Sequence, residues 1–220
     1  MDKLDSILIT GTDLVGKTTL IEGLSCYLTE RGVDNIVNKH DLYKSDLTEV
    51  VHGLLKTGAA ANLLQLNSLL FTGFLLDALK FRPTPGRILI QDSYACRTIA
   101  FSEAYGLTPV LDLFDAFKNT FVAFDVTIHL SASLAAKTSR LQARPESNRQ
   151  DHLILSDPDR IELMDQKLDR LIREQTKYLQ LDTSAMTIRE VLDRVVTYLW
   201  EGGAPSGTRK DGNVHSGPTP

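Results

Sequence analysis

Between residues 6 and 31 the chain passes from a short apolar segment, through a glycine loop, into a helical pattern, and few folds accommodate that succession. The apolar segment is Ser6-Ile7-Leu8-Ile9-Thr10, which reads as a strand. The loop is Gly11-Thr12-Asp13-Leu14-Val15-Gly16-Lys17-Thr18-Thr19. It satisfies the phosphate-loop pattern G-x-x-x-x-G-K-[ST] at each fixed position. From Thr18 to Arg31, residues Leu20, Ile21, Leu24, Tyr27 and Leu28 share one helical face. The glycines allow the backbone to curl so that several N–H groups point at one anion. The start of the helix adds a partial positive charge at the same place. The loop is therefore expected to hold the phosphates of a nucleoside triphosphate, with ATP as the donor. Lys17 would reach the β- and γ-phosphates, and the Thr18 hydroxyl would ligate Mg²⁺.

The remaining pattern alternates strands with helices. Further strands are expected at Asn35–Asn38, Arg87–Asp92, Asp125–Leu130 and Tyr178–Asp182. Helices are expected at Asp46–Lys56, Asn62–Phe81, on both sides of a break at Gly106–Pro109, at Ala132–Gln142 with Ser131 as its N-cap, and at Ile188–Trp200. Asp157-Pro158 suits an N-cap and first helical position. Ile161, Met164, Leu168, Leu171, Ile172 and Leu179 follow at helical spacing. The fold class is thus α/β, a phosphate-loop NTPase fold with a five-stranded parallel sheet and helices on both faces. One kinase-type domain is expected over residues 1–201, with a mobile, arginine-bearing lid at about 143–156. Residues 202–220, rich in Gly, Pro, Ser and Thr, are expected to be a disordered tail. The loops at the carboxyl ends of the strands should form the site.

Composition narrows the partners. The 220-residue chain carries a net charge of −4, so no basic surplus points to nucleic acid. Its two cysteines, Cys26 and Cys96, form no C-x-x-C, and its histidines show no metal-ligand spacing. The start of the chain reads as leading straight into a strand, without a signal peptide. Leu63–Leu79 is interrupted by Gln65, Asn67, Ser68 and Asp77, too polar for a membrane span. A cytoplasmic protein is expected. The helix Asn62–Phe81 is apolar around most of its circumference, which suggests burial on more than one side and a homodimer.

The chain resembles the thymidylate kinase family over about Leu8 to Leu199. The loop carries the resemblance first, because the family has an acid at its third position, here Asp13. Asp92-Ser93-Tyr94 followed by Ala100-Phe101 is similar to the family's Asp-Arg-Tyr segment and later Ala-Tyr. Ala143-Arg144-Pro145-Glu146-Ser147-Asn148-Arg149 resembles an arginine-bearing lid. Leu181-Asp182-Thr183-Ser184 resembles the stretch that ends the last strand near the adenine. The departures fall on the acceptor side. Where the family's second strand ends in Arg-Glu-Pro-Gly, this chain has His40-Asp41-Leu42-Tyr43. The arginine of the family's long helix is replaced by Leu75, and that of Asp-Arg-Tyr by Ser93. Arg97, one turn later, is a partial substitute.

The resemblance implies transfer of the γ-phosphoryl group of ATP to a nucleotide-like acceptor, a small molecule. The missing arginines suggest an alternative, a nucleoside or other small alcohol with no charge at that end. A third reading, a non-catalytic nucleotide-binding regulator, has little use for a cationic lid. Asp92 is read as a Mg²⁺ or water ligand, or as the base. Asp41 is either a base, as in related deoxynucleoside kinases, or a structural acid. Asp13 either contacts the acceptor or caps the loop. Leu14 rules out a transition-state arginine from the loop itself, which leaves Arg144 and Arg149. Tyr94 and Phe71 stack on an acceptor base or pack in the core, and His129 is expected in the core.

Overall fold

A computed structural model describes residues 4–39, 41–57, 62–144, 156–175 and 177–200. His40, Arg149, most of the expected lid and the expected tail lie outside the described residues. Five strands form one sheet: β1 Ser6–Thr10, β2 Asn35–Lys39, β3 Ile88–Asp92, β4 Val126–Ser131 and β5 Tyr178–Asp182. Their order is β2-β3-β1-β4-β5, and each neighbouring pair runs parallel. Parallel strands need crossovers, which the described helices supply. These are α1 Lys17–Glu30, α2 Asp46–Thr57, α3 Leu63–Lys80, α4 Ala95–Ala104, α5 Thr108–Phe117, α6 Leu134–Gln142, α7 Pro158–Arg173 and α8 Ile188–Trp200.

The period-2 alternation of β1 divides the core. Ile7 and Ile9 pack with Leu20, Ile21, Leu24 and Leu28 of α1 and with Val191 and Val195 of α8. Leu8 faces the other way, with Leu89, into an aromatic layer of Phe71, Phe74, Tyr94 and Phe114. The sheet is therefore buried on both faces at β1 and β3, which is why these strands read as nearly unbroken apolar runs. Tyr94 and Phe71 both belong to that aromatic layer; Tyr94 meets Phe74 edge-on at 5.0 Å and Phe71 meets Phe114 at 5.1 Å.

Most expected boundaries shift by a residue or two. Asn62 is the N-cap of α3, its side chain accepting from Gln65 N, and Phe81 is its C-cap. Asp157 caps α7 by accepting from Arg160 N, with Pro158 in the first turn. One N-cap is corrected. Ser131 does not cap α6, because it remains extended opposite Asp182 and its carbonyl accepts from Thr183 N. Ser133 is the cap, accepting from Ala136 N, and α6 starts at Leu134. Leu179, counted with the preceding helical spacing, lies in β5. Helix α3 buries Leu66, Phe71 and Phe74 within the chain and leaves Leu63, Leu64 and Leu79 exposed.

β1 and β4 run side by side, so the loop after β1 passes close to the end of β4. Gly11 has φ +149°, and a Cβ there would lie 2.3 Å from the Leu130 carbonyl oxygen. That clash is with backbone and has no flexible relief. Gly11→Ala is expected to destabilise the fold by about 1–3 kcal/mol, as forced backbone conformations do. A thermal midpoint unchanged from the parent would contradict this account of the loop's seat.

Candidate active site

The loop is held from outside almost residue by residue. Thr12 donates its hydroxyl proton to Asp165 Oδ1 at 2.7 Å. Leu14 sits at φ +65°, unusual for a branched residue, and its carbonyl accepts from Arg140 Nη1 at 2.8 Å. The Val15 carbonyl accepts from Thr183 Oγ1 at 2.9 Å. Gly16, at φ +97°, then leads into α1. The first turn of α1 has no acidic residue, so nothing offsets the positive end of its dipole.

Four charges meet at the mouth of this loop. The Lys17 ammonium donates to the Thr12 carbonyl at 2.6 Å and stands 3.9 Å from Asp13 Oδ1. Burial, reinforced by Arg97, lowers its pKa to about 8, against the opposing pull of Asp13 and Asp92. Arg97 Nη2 donates to both Asp13 carboxylate oxygens, at 2.8 and 2.7 Å. Burial would raise the Asp13 pKa, but Arg97, Lys17 and Arg144 together hold it below the usual carboxylate value. Asp92 ends β3 in register with Ile9 and Lys39. The chain then turns sharply at Ser93, φ +61°, whose N–H donates to the Ile9 carbonyl.

A second acidic group lies apart from these. Asp41 is 2% exposed, and its Oδ1 is 3.2 Å from where a Cβ on Gly73 would stand. Asp77, fully buried on α3, accepts from Tyr43 N at 2.5 Å and so pins the loop after β2 to α3. Burial pushes the Asp77 carboxyl up to about 6, and the neighbouring Asp41 pushes the same way. Burial also raises the Tyr94 hydroxyl, again with help from Asp77 and Asp41. The two acids considered as bases bear on different groups. Asp92 acts on Lys17, whereas Asp41 acts on Asp77 and Tyr94.

On the opposite side of the loop lies a cavity of about 270 Å³ lined by Gly16, Thr19, Arg140, Arg144, Thr183 and Met186, among others. It opens beside the end of β5, where Thr183 lines it. Arg144 is exposed at its rim. For the metal, Thr18 offers a hydroxyl and Asp92 a carboxylate, both hard oxygen donors. Among the described residues no group of three His, Cys, Asp or Glu could cage an ion. That donor set fits Mg²⁺, which is commonly held by one or two protein oxygens together with phosphates and water.

A profile of the thymidylate kinase family matches residues 9–195. The chain belongs to the thymidylate kinase family. It is therefore an ATP-dependent phosphotransferase by family. Solved structures agree on the fold. A thymidylate kinase from Candida albicans superposes with a TM-score of 0.71 at 15% identity, over 91% of this chain and 92% of that one. A deoxyadenosine kinase from M. mycoides, solved with dCMP and dCDP, gives 0.61 at 16% identity, over 90% and 100%. The same kinase with dCTP gives 0.59 at 17%, over 88% and 98%. A sequence search among curated proteins finds no match.

Within this thymidylate kinase fold, the two positions without arginine are a buried serine and a partly buried leucine. Ser93 is 6% exposed, and Leu75 packs against the aromatic layer. Arg97 reaches the loop acid instead. Sequence reasoning missed Arg140, which ties Leu14 to Thr183 by donating to the carbonyls of both and to Thr183 Oγ1. Its only signal was a basic residue in the last turn of α6, a common feature with many causes. No described helix is long and apolar enough to cross a membrane.

The depressed Lys17 pKa has a directional consequence. Below about pH 8 the amine is already protonated; above it the free protein carries it neutral. A bound polyphosphate favours the charged form and raises that pKa again. ATP binding at pH 8.5 is expected to take up a proton, and binding at pH 6.5 to take up almost none. Calorimetry in buffers of different ionisation enthalpy reads this directly; identical proton uptake at the two pH values would refute it.

Proposed function

We propose that this kinase transfers the γ-phosphoryl group of Mg²⁺-bound ATP to the hydroxyl of a nucleoside-like small molecule. The reading refines the nucleotide-like acceptor inferred from family resemblance. The observation that carries it is the charge of the acceptor side. Where relatives by resemblance place arginines, this chain has buried Ser93 and half-buried Leu75, and it buries two carboxylates, Asp41 after β2 and Asp77 on α3. Arg97 is a cation on that side, but its charge is matched by Asp13 at 2.7 Å. An acceptor phosphate dianion would meet two buried carboxylates and a guanidinium already engaged, with the Lys44 ammonium held by the Lys39 and Asp41 carbonyls as the opposing charge. A neutral hydroxyl acceptor avoids that repulsion.

The chemistry is mostly positioning and charge stabilisation. Lys17 leaves the Thr12 carbonyl for the β- and γ-phosphates, and the amides of the loop and of the first turn of α1 hold the rest. Thr18 would hold Mg²⁺ directly and Asp92 would hold it through a water, and the ion would supply neutralisation of the triphosphate's charge. Asp92 is the carboxylate on the Lys17 side and takes the acceptor's hydroxyl proton as the new O–P bond completes. Asp41, enclosed with Asp77, shapes the acceptor end. Arg144, at the rim of the cavity beside the end of β5, is the described cation available to the transferring group from the lid side. Arg149 is proposed for the same task. The two cysteines, both free, suit a reducing cytoplasm, the compartment proposed for this activity. A homodimer is proposed through the exposed Leu63, Leu64 and Leu79 of α3; sedimentation at micromolar concentration showing only monomer would remove it.

The test is an acceptor screen scored by ADP release, with thymidine monophosphate, thymidine, other nucleosides and small alcohols side by side. An uncharged acceptor is expected to exceed thymidine monophosphate in kcat/KM by at least about tenfold, the worth of one lost charge-assisted contact. Preferred use of the monophosphate would overturn the acceptor reading. Lys17→Ala is expected to lose about 10²–10³ in rate with any acceptor while remaining folded. An active Lys17→Ala variant would overturn the phosphotransfer role given to the loop.

A further inference from the structure

Beneath the loop lies a buried ion pair that neither the family motifs nor the transfer chemistry require. Lys137 of α6 is 1% exposed, yet it carries an ammonium. Its Nζ donates to Thr12 Oγ1 at 2.9 Å and, in a short contact, to Asp165 Oδ2 of α7. Thr12 in turn donates to Asp165 Oδ1 at 2.7 Å. The three side chains close a ring in which the Thr12 hydroxyl both accepts and donates. Thr12 is itself 1% exposed.

Burying such a pair is a poor way to gain stability. The Lys137 ammonium is fully desolvated while Asp165 stays 21% exposed, so the cost falls mainly on the lysine, and apolar side chains of similar size commonly do as well or better. What the ring does is orient Thr12. The hydroxyl of that residue is fixed by α6 and α7, while its carbonyl accepts the Lys17 ammonium at 2.6 Å. Thr12 also follows Gly11, whose seat against Leu130 leaves no room for rearrangement. The peptide that parks Lys17 therefore has one side fixed by the sheet and the other by two helices remote in sequence. The ammonium of Lys137 further adds positive potential below the concave face where phosphates bind, and Lys17 registers that field.

We propose that Lys137 and Asp165 are positioning residues for the phosphate loop, acting through the Thr12 hydroxyl to set the loop's affinity for the triphosphate of ATP. The inference rests on ATP being the ligand of the loop. It adds two residues that touch neither donor nor acceptor.

The experiment measures the affinity of the full chain for Mg·ATP by calorimetry, together with thermal midpoints. Thr12→Val removes the hydroxyl but leaves Lys137 and Asp165 paired with each other; Thr12→Ser keeps the hydroxyl. Thr12→Val is expected to weaken ATP binding at least tenfold, and Thr12→Ser to stay within about twofold of the parent. The paired replacement Lys137→Met with Asp165→Leu is expected to hold or raise the thermal midpoint while weakening ATP binding at least tenfold. A purely structural pair would do the reverse. Adding Thr12→Val to the paired replacement is expected to cost little more, since residues acting through one group are not additive. If Thr12→Val binds ATP as the parent does, the proposal fails, and that result alone decides should the paired replacement not fold. If the parent binds no ATP, the reading beneath the proposal fails with it, an outcome distinct from a variant binding normally.

Discussion

The approach of Gly11 to the Leu130 carbonyl governs the rest of the molecule. β1 and β4 lie side by side in the parallel sheet, and the loop leaving β1 must clear the end of β4 before it can curl. Only a residue without a Cβ makes that passage. Once the loop is seated there, its later residues fall within reach of three separate elements. Asp165 of α7 takes Thr12, Arg140 of α6 takes the Leu14 carbonyl, and Thr183 after β5 takes that of Val15. The left-handed backbone at Leu14 is a local cost that these contacts offset. A phosphate site built this way is preorganised, so donor binding does not have to order it.

On the function proposed for it, the two sides of the cleft differ in kind. The donor side has a positive lysine of low pKa, a helix start free of acids in its first turn, and a cavity of about 270 Å³ beyond it. The acceptor side has buried acids, one of which, Asp77, also serves as an anchor for the loop after β2. A carboxyl held near pKa 6 in a protein interior marks an environment that resists further negative charge. Arg97 stands at the boundary between the two and binds the loop acid Asp13. Its position couples the mouth of the phosphate loop to α4, the helix that follows the strand bearing Asp92.

Legibility in the sequence followed the range of the interaction. Strands β1 and β3 announced themselves because both sheet faces are covered there, which makes their apolar runs short and continuous. The loop was legible because its chemistry is encoded in consecutive residues. Asp157-Pro158 was legible for the same reason. The N-cap of α6 was misplaced because Ser131 and Ser133 are both suitable residues, and only the pairing of Ser131 with Asp182 decides between them. Lys137 and Asp165 left no local trace, and Arg140 only that of a basic residue in the last turn of α6. Lys137 and Thr12 are 125 residues apart, and a lysine in an amphipathic helix ordinarily faces solvent. The aromatic fate of Phe71 likewise depended on α5, whose Phe114 and Phe117 complete the layer around it, and that of Tyr94 on Phe74 and Phe124.

The central claim is that the acceptor end of this thymidylate kinase relative disfavours a phosphate. The most direct measurement is equilibrium binding of thymidine and of thymidine monophosphate to the chain saturated with a non-hydrolysable ATP analogue and Mg²⁺. Binding isolates recognition from turnover and from the choice of base. The account predicts that the monophosphate binds no more tightly than the nucleoside, with the gap widening in favour of the nucleoside at low ionic strength, where the field of Asp41 and Asp77 is least screened. Monophosphate binding at least tenfold tighter than nucleoside binding would contradict it.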